Sequence, residues 1–240
     1  MGLMVRPIEL VQPQARFAYA LRKNGRILDV GCGDFVRIDR YVGKRRPDVE
    51  IIGIDLYDDG TIYGTLTPSA TPKRNKAYRR LACNLETDRF PFADAWFDGV
   101  YFSHVIEHLA DKRNVLSEIR RVLRPSGLLY VETPGPMARF AGRPQWVASD
   151  HGGTIRYHDD PTHLGDPMST RSLGDALRAS GLVVENSGAV RELGFVGMPL
   201  YVAMAVVGII PFVPGGTSSL LYGAGMRNLV GWGIYALARR

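Results

Sequence analysis

Short apolar segments with a β-branched bias alternate along this chain with segments in which apolar residues follow a helical spacing. The apolar segments lie at residues 26–30, 50–56, 78–85, 97–103, 128–133 and 182–184. The clearest helical spacing covers 111–123 and 169–181, and a short amphipathic helix is expected at 15–23, ahead of the first strand. Strands that alternate with helices predict an α/β fold with a doubly wound, mostly parallel sheet.

The first apolar segment runs directly into a glycine turn, Gly31-Cys32-Gly33, which a helical pattern follows. Strand, glycine turn and helix open a nucleotide-binding unit, because glycine allows a close backbone approach to a ligand and a positive φ. A dinucleotide-binding turn would have a third glycine where this chain has Val36, which disfavours an NAD-dependent oxidoreductase.

An aspartate ends the second apolar segment. Asp55 follows Gly33 by about 22 residues, the usual distance for an acid that accepts hydrogen bonds from both ribose hydroxyls. A helix cap or a turn would be the alternative role. Ribose binding is favoured because the glycine turn precedes it.

Composition and charge narrow the class of protein. A chain of 240 residues suits one sizeable core, and we expect a single domain over 1–240 that opens with a helical segment over 1–25. Cys32 and Cys83 offer no disulfide framework, and residues 1–10 lack a signal-peptide pattern, which favours a cytoplasmic setting. The net charge of +6 is modest, and its basic clusters are expected to be solvated faces, so a nucleic-acid partner is disfavoured.

A long segment at 134–169 interrupts the alternation of strands and helices. It is rich in proline and glycine and carries His151, His158 and His163. It leaves the carboxyl end of the fifth strand, the edge at which α/β sheets bind ligands. A loop of this length is usually functional or disordered, and we interpret it as a substrate-facing lid.

The motifs together resemble a known family. Asp29, Gly31 and Gly33 match motif I of the class I S-adenosylmethionine-dependent methyltransferases, with Phe35 where a further glycine is usual. Other segments in the family's order and spacing are Asn84-Leu85-Glu86, Phe90-Pro91-Phe92, Phe97-Asp98, 105–109, 121–127 and 175–181. The chain is similar over residues 26–190 to the small-molecule branch that includes the ubiquinone-pathway enzymes. The resemblance implies a Rossmann-like, seven-stranded sheet whose last strand, at 229–240, is antiparallel.

S-adenosylmethionine is the cofactor that the resemblance implies. The residues that would contact it are Asp29, Gly31, Gly33, Asp55, Leu56, Asn84, Leu85 and Ser103. Gly31, Gly33 and Asp29 would lie at the methionine end, and Leu56 would pack on the adenine. Asn84 replaces the family's more usual aspartate, but its carbonyl oxygen can still accept a hydrogen bond from the adenine amino group.

Transfer to an alcohol or phenol also needs a base, and histidine suits that role near neutral pH. The candidates are His104, after the fourth strand, and His163 in the lid, for which a loop-stabilising role is the alternative. Some relatives carry Glu-x-x-Glu-His where this chain has His104-x-x-Glu107-His108, and they use a divalent metal. Metal-free members also carry the Glu-His pair, so no metal site is predicted.

The segment 193–226 contains no charged residue and interrupts the resemblance. It would form an insertion over 191–228, ahead of the last strand. Three interpretations stay open: a hydrophobic cap over the active site, a hairpin at the membrane surface, and a transmembrane helix.

The sequence therefore predicts a methyltransferase that acts on a small or lipid-like acceptor, more readily on oxygen. A lipid-linked sugar is one such acceptor, and a peripheral membrane contact through 193–226 would suit it. The alternatives are an RNA methyltransferase and an inactive, cofactor-binding membrane adaptor.

Overall fold

The computed structural model describes residues 12–33, 35–56, 78–139, 157–191, 198–209 and 231–240. Several sequence predictions lie outside these residues. They are the predictions for the middle of the lid, with His151, and for most of the insertion.

Seven strands form one sheet in the order β3-β2-β1-β4-β5-β7-β6. Their bounds are Arg26–Val30 (β1), Glu50–Asp55 (β2), Arg79–Ala82 (β3), Phe97–Ser103 (β4), Leu123–Pro134 (β5), Val183–Val190 (β6) and Gly233–Arg239 (β7). Strand β7 runs antiparallel to both of its neighbours, and the other pairs are parallel. The prediction of a mostly parallel, seven-stranded α/β sheet with an antiparallel last strand is confirmed.

Strand β6 is longer than the predicted segment at 182–184. Its residues alternate between more exposed and more buried positions, and Glu185, Asn186 and Ser187 interrupt the apolar run. An edge strand with one solvated face has this alternating pattern. A search for continuous apolar residues therefore detects only the first residues of β6.

The helices of the described residues are Pro13–Ala20 (α1), Val36–Ile38 continuing as a π-helical turn over Asp39–Gly43 (α2), Arg113–Val122 (α3), Thr170–Ala179 (α4) and Met198–Ile209 (α5). Helix α4 begins where the sequence predicts. The Ser169 side chain accepts a hydrogen bond from the Ser172 backbone, and Gly181 follows the helix with φ +77°. Both features are ordinary helix boundaries.

Apolar residues pack on both faces of the sheet. One cluster includes Val115, Ile119 and Leu173 from α3 and α4, and the other includes Phe17 and Ile38 from α1 and α2. With helices covering both faces, the carboxyl ends of β1, β2, β4 and β5 meet at one accessible edge, where ligands bind in such folds.

A buried arginine, Arg46, binds the end of helix α1. The Arg46 guanidinium donates hydrogen bonds to the carbonyl oxygens of Ala18, Leu21 and Arg22 at 2.7–2.9 Å, and it pairs with Asp48. These carbonyls lie at the end of the helix, where intrahelical partners are lacking. Arg46 thereby ties the end of α1 to the segment that precedes β2.

The predicted insertion contributes helix α5 to the described structure. Three of its apolar side chains, Leu200, Val202 and Val206, are about half exposed, at 50%, 48% and 56%. Among the described residues, no helix combines the length and the apolar character that crossing a membrane requires.

Candidate active site

The glycine turn is pinned to the end of β2. The backbone N–H groups of Gly31 and Cys32 donate to the carbonyl oxygen of Ile54 at 2.8 and 3.2 Å. The Asp55 carboxylate accepts from Gly33 N at 2.9 Å and from Leu56 N at 2.7 Å. A carboxylate has about four lone-pair sites, so Asp55 can organise this turn and still accept a hydrogen bond from a ligand hydroxyl.

The two glycines of the turn face different surroundings. Both have positive φ, +68° at Gly31 and +46° at Gly33. A Cβ on Gly31 would lie 2.3 Å from Cγ2 of Val105, whereas a Cβ on Gly33 would meet none of the described residues within 4 Å, its chain neighbours aside. Gly31 is therefore needed for packing inside the protein, and Gly33 leaves open space on the ligand side of the turn.

Asp29 lies buried behind the turn, with 4% of its surface exposed. Burial raises the pKa of its carboxyl well above the ordinary value, the nearby Asp55 raises it further, and Arg37 opposes both effects. A cationic group bound nearby would favour the charged carboxylate. This environment suits a ligand that carries a positive charge.

The residues expected around an adenine lie at the ends of β2 and β3. Leu56 is 55% exposed, and Leu85 is buried. The backbone N–H of Cys83 donates to the Asp55 carbonyl oxygen at 2.7 Å, which joins the two strand ends. The side-chain oxygen of Asn84, Oδ1, accepts a hydrogen bond from Glu86 N at 3.0 Å. One of its lone pairs thus serves a local turn, a role that the sequence prediction did not include.

His104 lies between two buried carboxylates at the end of β4. Its Nε2 is 3.1 Å from Oε1 of Glu132, and its Nδ1 is 3.3 Å from Oε1 of Glu107. His104 adopts φ +56°, which is uncommon for a residue other than glycine, and its ring stacks on Trp232. Both ring nitrogens face acidic oxygens, while Ser103 lies buried just before it.

Glu132, at the end of β5, gathers several partners around His104. Its Oε2 accepts hydrogen bonds from the Tyr130 hydroxyl and from Nε2 of Gln14, the latter at 2.9 Å, and Arg37 lies 3.9 Å from Oε1. Burial alone would raise the pKa of Glu132, but the hydrogen bond and charge of His104 lower it to about 2. Helix α1 therefore contributes directly to this network through Gln14.

His163 joins a second cluster, together with Glu107 and His108. One potential ligand atom from each of the three lies within 4.8 Å of the others. The His163 side chain is 2% exposed, and burial lowers its pKa from 6.5. Its Nδ1 donates to the Tyr157 carbonyl oxygen at 2.7 Å, since a carbonyl can only accept. The described residues offer Nε2 no hydrogen-bond partner, although a carboxylate oxygen of Asp160 lies 3.6 Å away.

The cluster and the glycine turn are close in space. Val105, which lies against Gly31, separates His104 from the short 3₁₀ helix Ile106–His108. The N–H of Leu164 donates to the Glu107 carbonyl oxygen at 2.8 Å, so the end of the predicted lid packs on the same segment. The two candidate histidines, His104 and His163, thus both lie beside Glu107.

The sequence prediction did not include Glu132 or Gln14. Glu132 lies near the carboxyl end of its apolar strand, β5, as Asp55 does at the end of β2, and this position is a signal that points to the ligand-binding edge. Gln14 lies in a short helix without any distinguishing motif, and its contact with Glu132 spans 118 positions of the sequence. Only the folded structure brings it there.

Comparison with known proteins identifies the family. A family model described as a methyltransferase domain matches residues 6–187. The chain belongs to the class I S-adenosylmethionine-dependent methyltransferases.

Curated methyltransferases share part of the sequence. The chain is 32% identical over 122 residues to demethylmenaquinone methyltransferase of Symbiobacterium thermophilum, covering 50% of this chain and 47% of that one. It is 33% identical over 108 residues to the human mitochondrial ubiquinone biosynthesis O-methyltransferase, covering 45% and 28%. The chain thus spans about half the length, or less, of these two relatives.

A solved structure extends the similarity to the whole fold. The S-adenosylmethionine-dependent methyltransferase from Mesorhizobium loti superposes with a TM-score of 0.59 at 17% identity, covering 94% of this chain and 96% of that one. S-adenosylmethionine is the cofactor of this family, and the site fits it: the turn is open at Gly33, Leu56 offers an exposed apolar surface, and buried Asp29 suits a cation.

Proposed function

We propose that this chain transfers a methyl group from S-adenosylmethionine to a hydroxyl oxygen of a small or lipid-like acceptor. The observation that carries the proposal is the buried Nε2 of His163, which makes no hydrogen bond to the described residues. It lies beside Glu107, whose segment packs against the glycine turn. The cofactor carries the methyl group on a positively charged sulfur. The acceptor oxygen attacks the methyl carbon in line with the C–S bond, and the sulfur leaves as this bond breaks. The protein must hold the acceptor in place and take its proton.

His163 suits the proton acceptor. Its Nδ1–H is held by the Tyr157 carbonyl oxygen, so the lone pair of the neutral ring lies on Nε2. Burial lowers its pKa, which keeps the ring neutral at pH 7. A base for a hydroxyl proton needs such a nitrogen.

His104 suits a different role. Because both of its nitrogens face carboxylates, it has no nitrogen directed at an acceptor. We assign it to holding Glu107 and Glu132 in place beside the cofactor. The remaining predicted residues keep their cofactor roles in this proposal: Asp55 toward the ribose, Leu56 and Leu85 toward the adenine, and Asn84 toward the adenine amino group.

The nature of the acceptor rests on two supports. The human relative is an O-methyltransferase of ubiquinone biosynthesis according to its name, which favours a phenolic or quinol hydroxyl. The half-exposed Leu200, Val202 and Val206 of α5 favour an apolar tail or a membrane-surface contact. A lipid-linked sugar combines a hydroxyl with an apolar anchor and is included in the same proposal.

A methyl-transfer panel tests the proposal. The purified chain receives S-adenosylmethionine with an isotopically labelled methyl group and, in separate reactions, short-tailed quinols, simple phenols, lipid-linked sugars and RNA. Label in an O-methyl ether, identified by NMR of the product, is the expected result. Label on carbon, label in RNA alone, or no transfer to any acceptor by a folded chain that binds S-adenosylhomocysteine would overturn it.

Two variants and a pH profile test the base. His163→Gln is expected to lower kcat at least 100-fold. His158→Gln should leave it unchanged, because the His158 side chain in the same turn is 55% exposed and its Nε2 lies 3.9 Å from Asp166. As burial lowers the His163 pKa, wild-type activity should persist at pH 6.5 and fall below it. A full loss of activity already at pH 6.5 would contradict this assignment.

A further inference from the structure

His163 is carried by a tight turn that Asp160 organises. The backbone N–H and the hydroxyl of Thr162 both donate hydrogen bonds to Oδ1 of Asp160, at 3.0 and 2.6 Å. The backbone N–H of His163 donates to the Asp160 carbonyl oxygen at 3.2 Å. Aspartate side chains stabilise turns in this way, so the place of the His163 ring depends on residue 160.

The second oxygen of the same carboxylate faces the ring. Oδ2 of Asp160 lies 3.6 Å from Nε2 of His163, the nitrogen to which the proposed function assigns the acceptor proton. The His163 side chain is 2% exposed and the Asp160 side chain is 23% exposed. At this distance a carboxylate interacts with a charge on the ring, and partial burial reduces the screening of that interaction by water and salt.

Contacts with Tyr157 keep the ring in one orientation. Nδ1 of His163 donates to the Tyr157 carbonyl oxygen at 2.7 Å, and the two rings stack with their centroids 4.3 Å apart. Turning the ring over would break this buried hydrogen bond, which is costly. Burial raises the pKa of the Tyr157 hydroxyl, so this neighbour brings no charge to the ring.

The carboxyl of Asp160 is ionised. Burial raises its pKa, but the hydrogen bonds from Thr162 and the charges of His163 and His108 hold the pKa below its ordinary value. Two further titratable groups act on the His163 ring: the charge of Glu107 favours its protonated form, and the charge of His108 opposes it. The turn therefore places a negative charge beside a ring that burial tends to keep neutral.

We propose that Asp160 is a positioning residue for the proton transfer: its carboxylate orients His163 and stabilises the imidazolium that forms when Nε2 takes the acceptor proton. The hydroxyl proton moves to Nε2 as the acceptor oxygen bonds to the methyl carbon, and the electron pair of the broken C–S bond stays on the sulfur. The ring thereby gains the positive charge that the sulfur loses. Asp160 stays ionised throughout, and the ring releases its proton to solvent after the product leaves.

This inference rests on the proposed function, because it requires His163 as the base. Nuclear magnetic resonance of the five histidines of the chain measures the His163 pKa without any acceptor, and the His163 signal is the one absent from His163→Gln. Asp160→Asn is the test variant, since an asparagine oxygen still accepts both hydrogen bonds from Thr162 while the charge is lost. We expect it to lower the His163 pKa by about one unit, because a nearby opposite charge favours the charged ring.

Methyl transfer gives the second measurement. Asp160→Asn should lower kcat roughly tenfold, the equivalent of one pKa unit, and move the acid limb of the pH–rate profile to lower pH. Damage to the turn alone would lower kcat without moving the limb in that direction. Asp166→Asn is the matched control: the Asp166 side chain in the same region is 75% exposed and pairs with Arg139, so the His163 pKa and kcat should both stay unchanged.

A conservative variant completes the series. Asp160→Glu keeps a carboxylate and should recover part of the His163 pKa and of kcat. A folded Asp160→Asn protein with an unchanged or raised His163 pKa would overturn the inference, and so would a pH–rate profile identical to that of the wild type.

Failure of this inference and failure of the proposed function are distinguishable. If His163→Gln abolishes methyl transfer and Asp160→Asn leaves it unchanged, His163 remains the base and the role of Asp160 is overturned. If Asp160→Asn lowers the His163 pKa but the label is found on carbon, the interaction between the two residues stands and the proposed reaction is overturned.

Discussion

Gly33→Ala separates cofactor binding from stability more cleanly than any other change in the glycine turn. Apart from its chain neighbours, the new methyl group would meet no atom of the described residues within 4 Å, so their packing is unaffected. The backbone at φ +46° is unfavourable for alanine by about 1–2 kcal/mol. For a chain of this size that corresponds to a fall in Tm of roughly 2–8 °C. The methyl group would, however, occupy the space through which the cofactor approaches the backbone.

Calorimetric titration with S-adenosylhomocysteine measures the effect on binding. We expect Gly33→Ala to weaken it at least tenfold, a loss of about 1.4 kcal/mol or more. Gly165→Ala is the matched control, because Gly165 also has positive φ, at +72°, and open space around it. It should lose similar stability and keep its affinity. Unchanged affinity in Gly33→Ala would refute the assignment of this space to the cofactor.

Gly31→Ala completes the comparison, since its methyl group would lie 2.3 and 2.7 Å from the two Cγ atoms of Val105. Its stability should therefore fall further than that of Gly33→Ala. Adding Val105→Ala removes both Cγ atoms and should recover part of the loss, a non-additive effect expected of contacting residues. Additive losses in the double variant would show that the clash is not the cause.

Three further changes test the surrounding structure. Asp55→Asn should weaken S-adenosylhomocysteine binding at least tenfold by calorimetry, because an amide has one acceptor oxygen where the carboxylate has two; unchanged binding would exclude Asp55 from the ligand contacts. The depressed pKa of Glu132, about 2 against an ordinary 4.5, contributes roughly 3 kcal/mol that is present above pH 4.5 and lost as the pH falls toward 2. Denaturant unfolding should therefore show the stability gap between wild type and Glu132→Gln closing over that interval, and a constant gap would contradict the shift. Leu200→Ser with Val206→Ser should reduce co-sedimentation with anionic vesicles without changing Tm, since both side chains are about half exposed; equal co-sedimentation would remove α5 as the contact.

The part of the site that binds the cofactor, the methyl donor, was predictable because it depends on local sequence. A glycine turn after a buried strand, and an acid at the end of the next strand, define positions along the sheet edge wherever the chain leads afterwards. The open space at Gly33 and the Asp55 hydrogen bonds are what such a pattern requires. The same reasoning was less complete for Asn84, whose carbonyl oxygen also caps its own turn.

The part of the site proposed to receive the methyl acceptor was predictable only in part, because its contacts join distant segments. His104 and His163 could be named as candidates from residue type and position. Which of them has an available nitrogen depends on Glu132, 28 positions after His104, and on the Tyr157 carbonyl oxygen beside His163. No periodicity or local spacing contains that information.

Glu107 is where the two halves meet, and its surroundings explain why His104 occupies its position. A carboxylate there would place a third acid beside Glu107 and Glu132, both more than 90% buried, and each additional buried charge is costly without a partner. A histidine instead offers a nitrogen to each carboxylate. Glu107 is left ionised and oriented toward His108 and His163, while Glu132 fastens the same assembly to α1 through Gln14. The residue at 104 therefore holds in place the carboxylate that lies beside His163, the proposed proton acceptor.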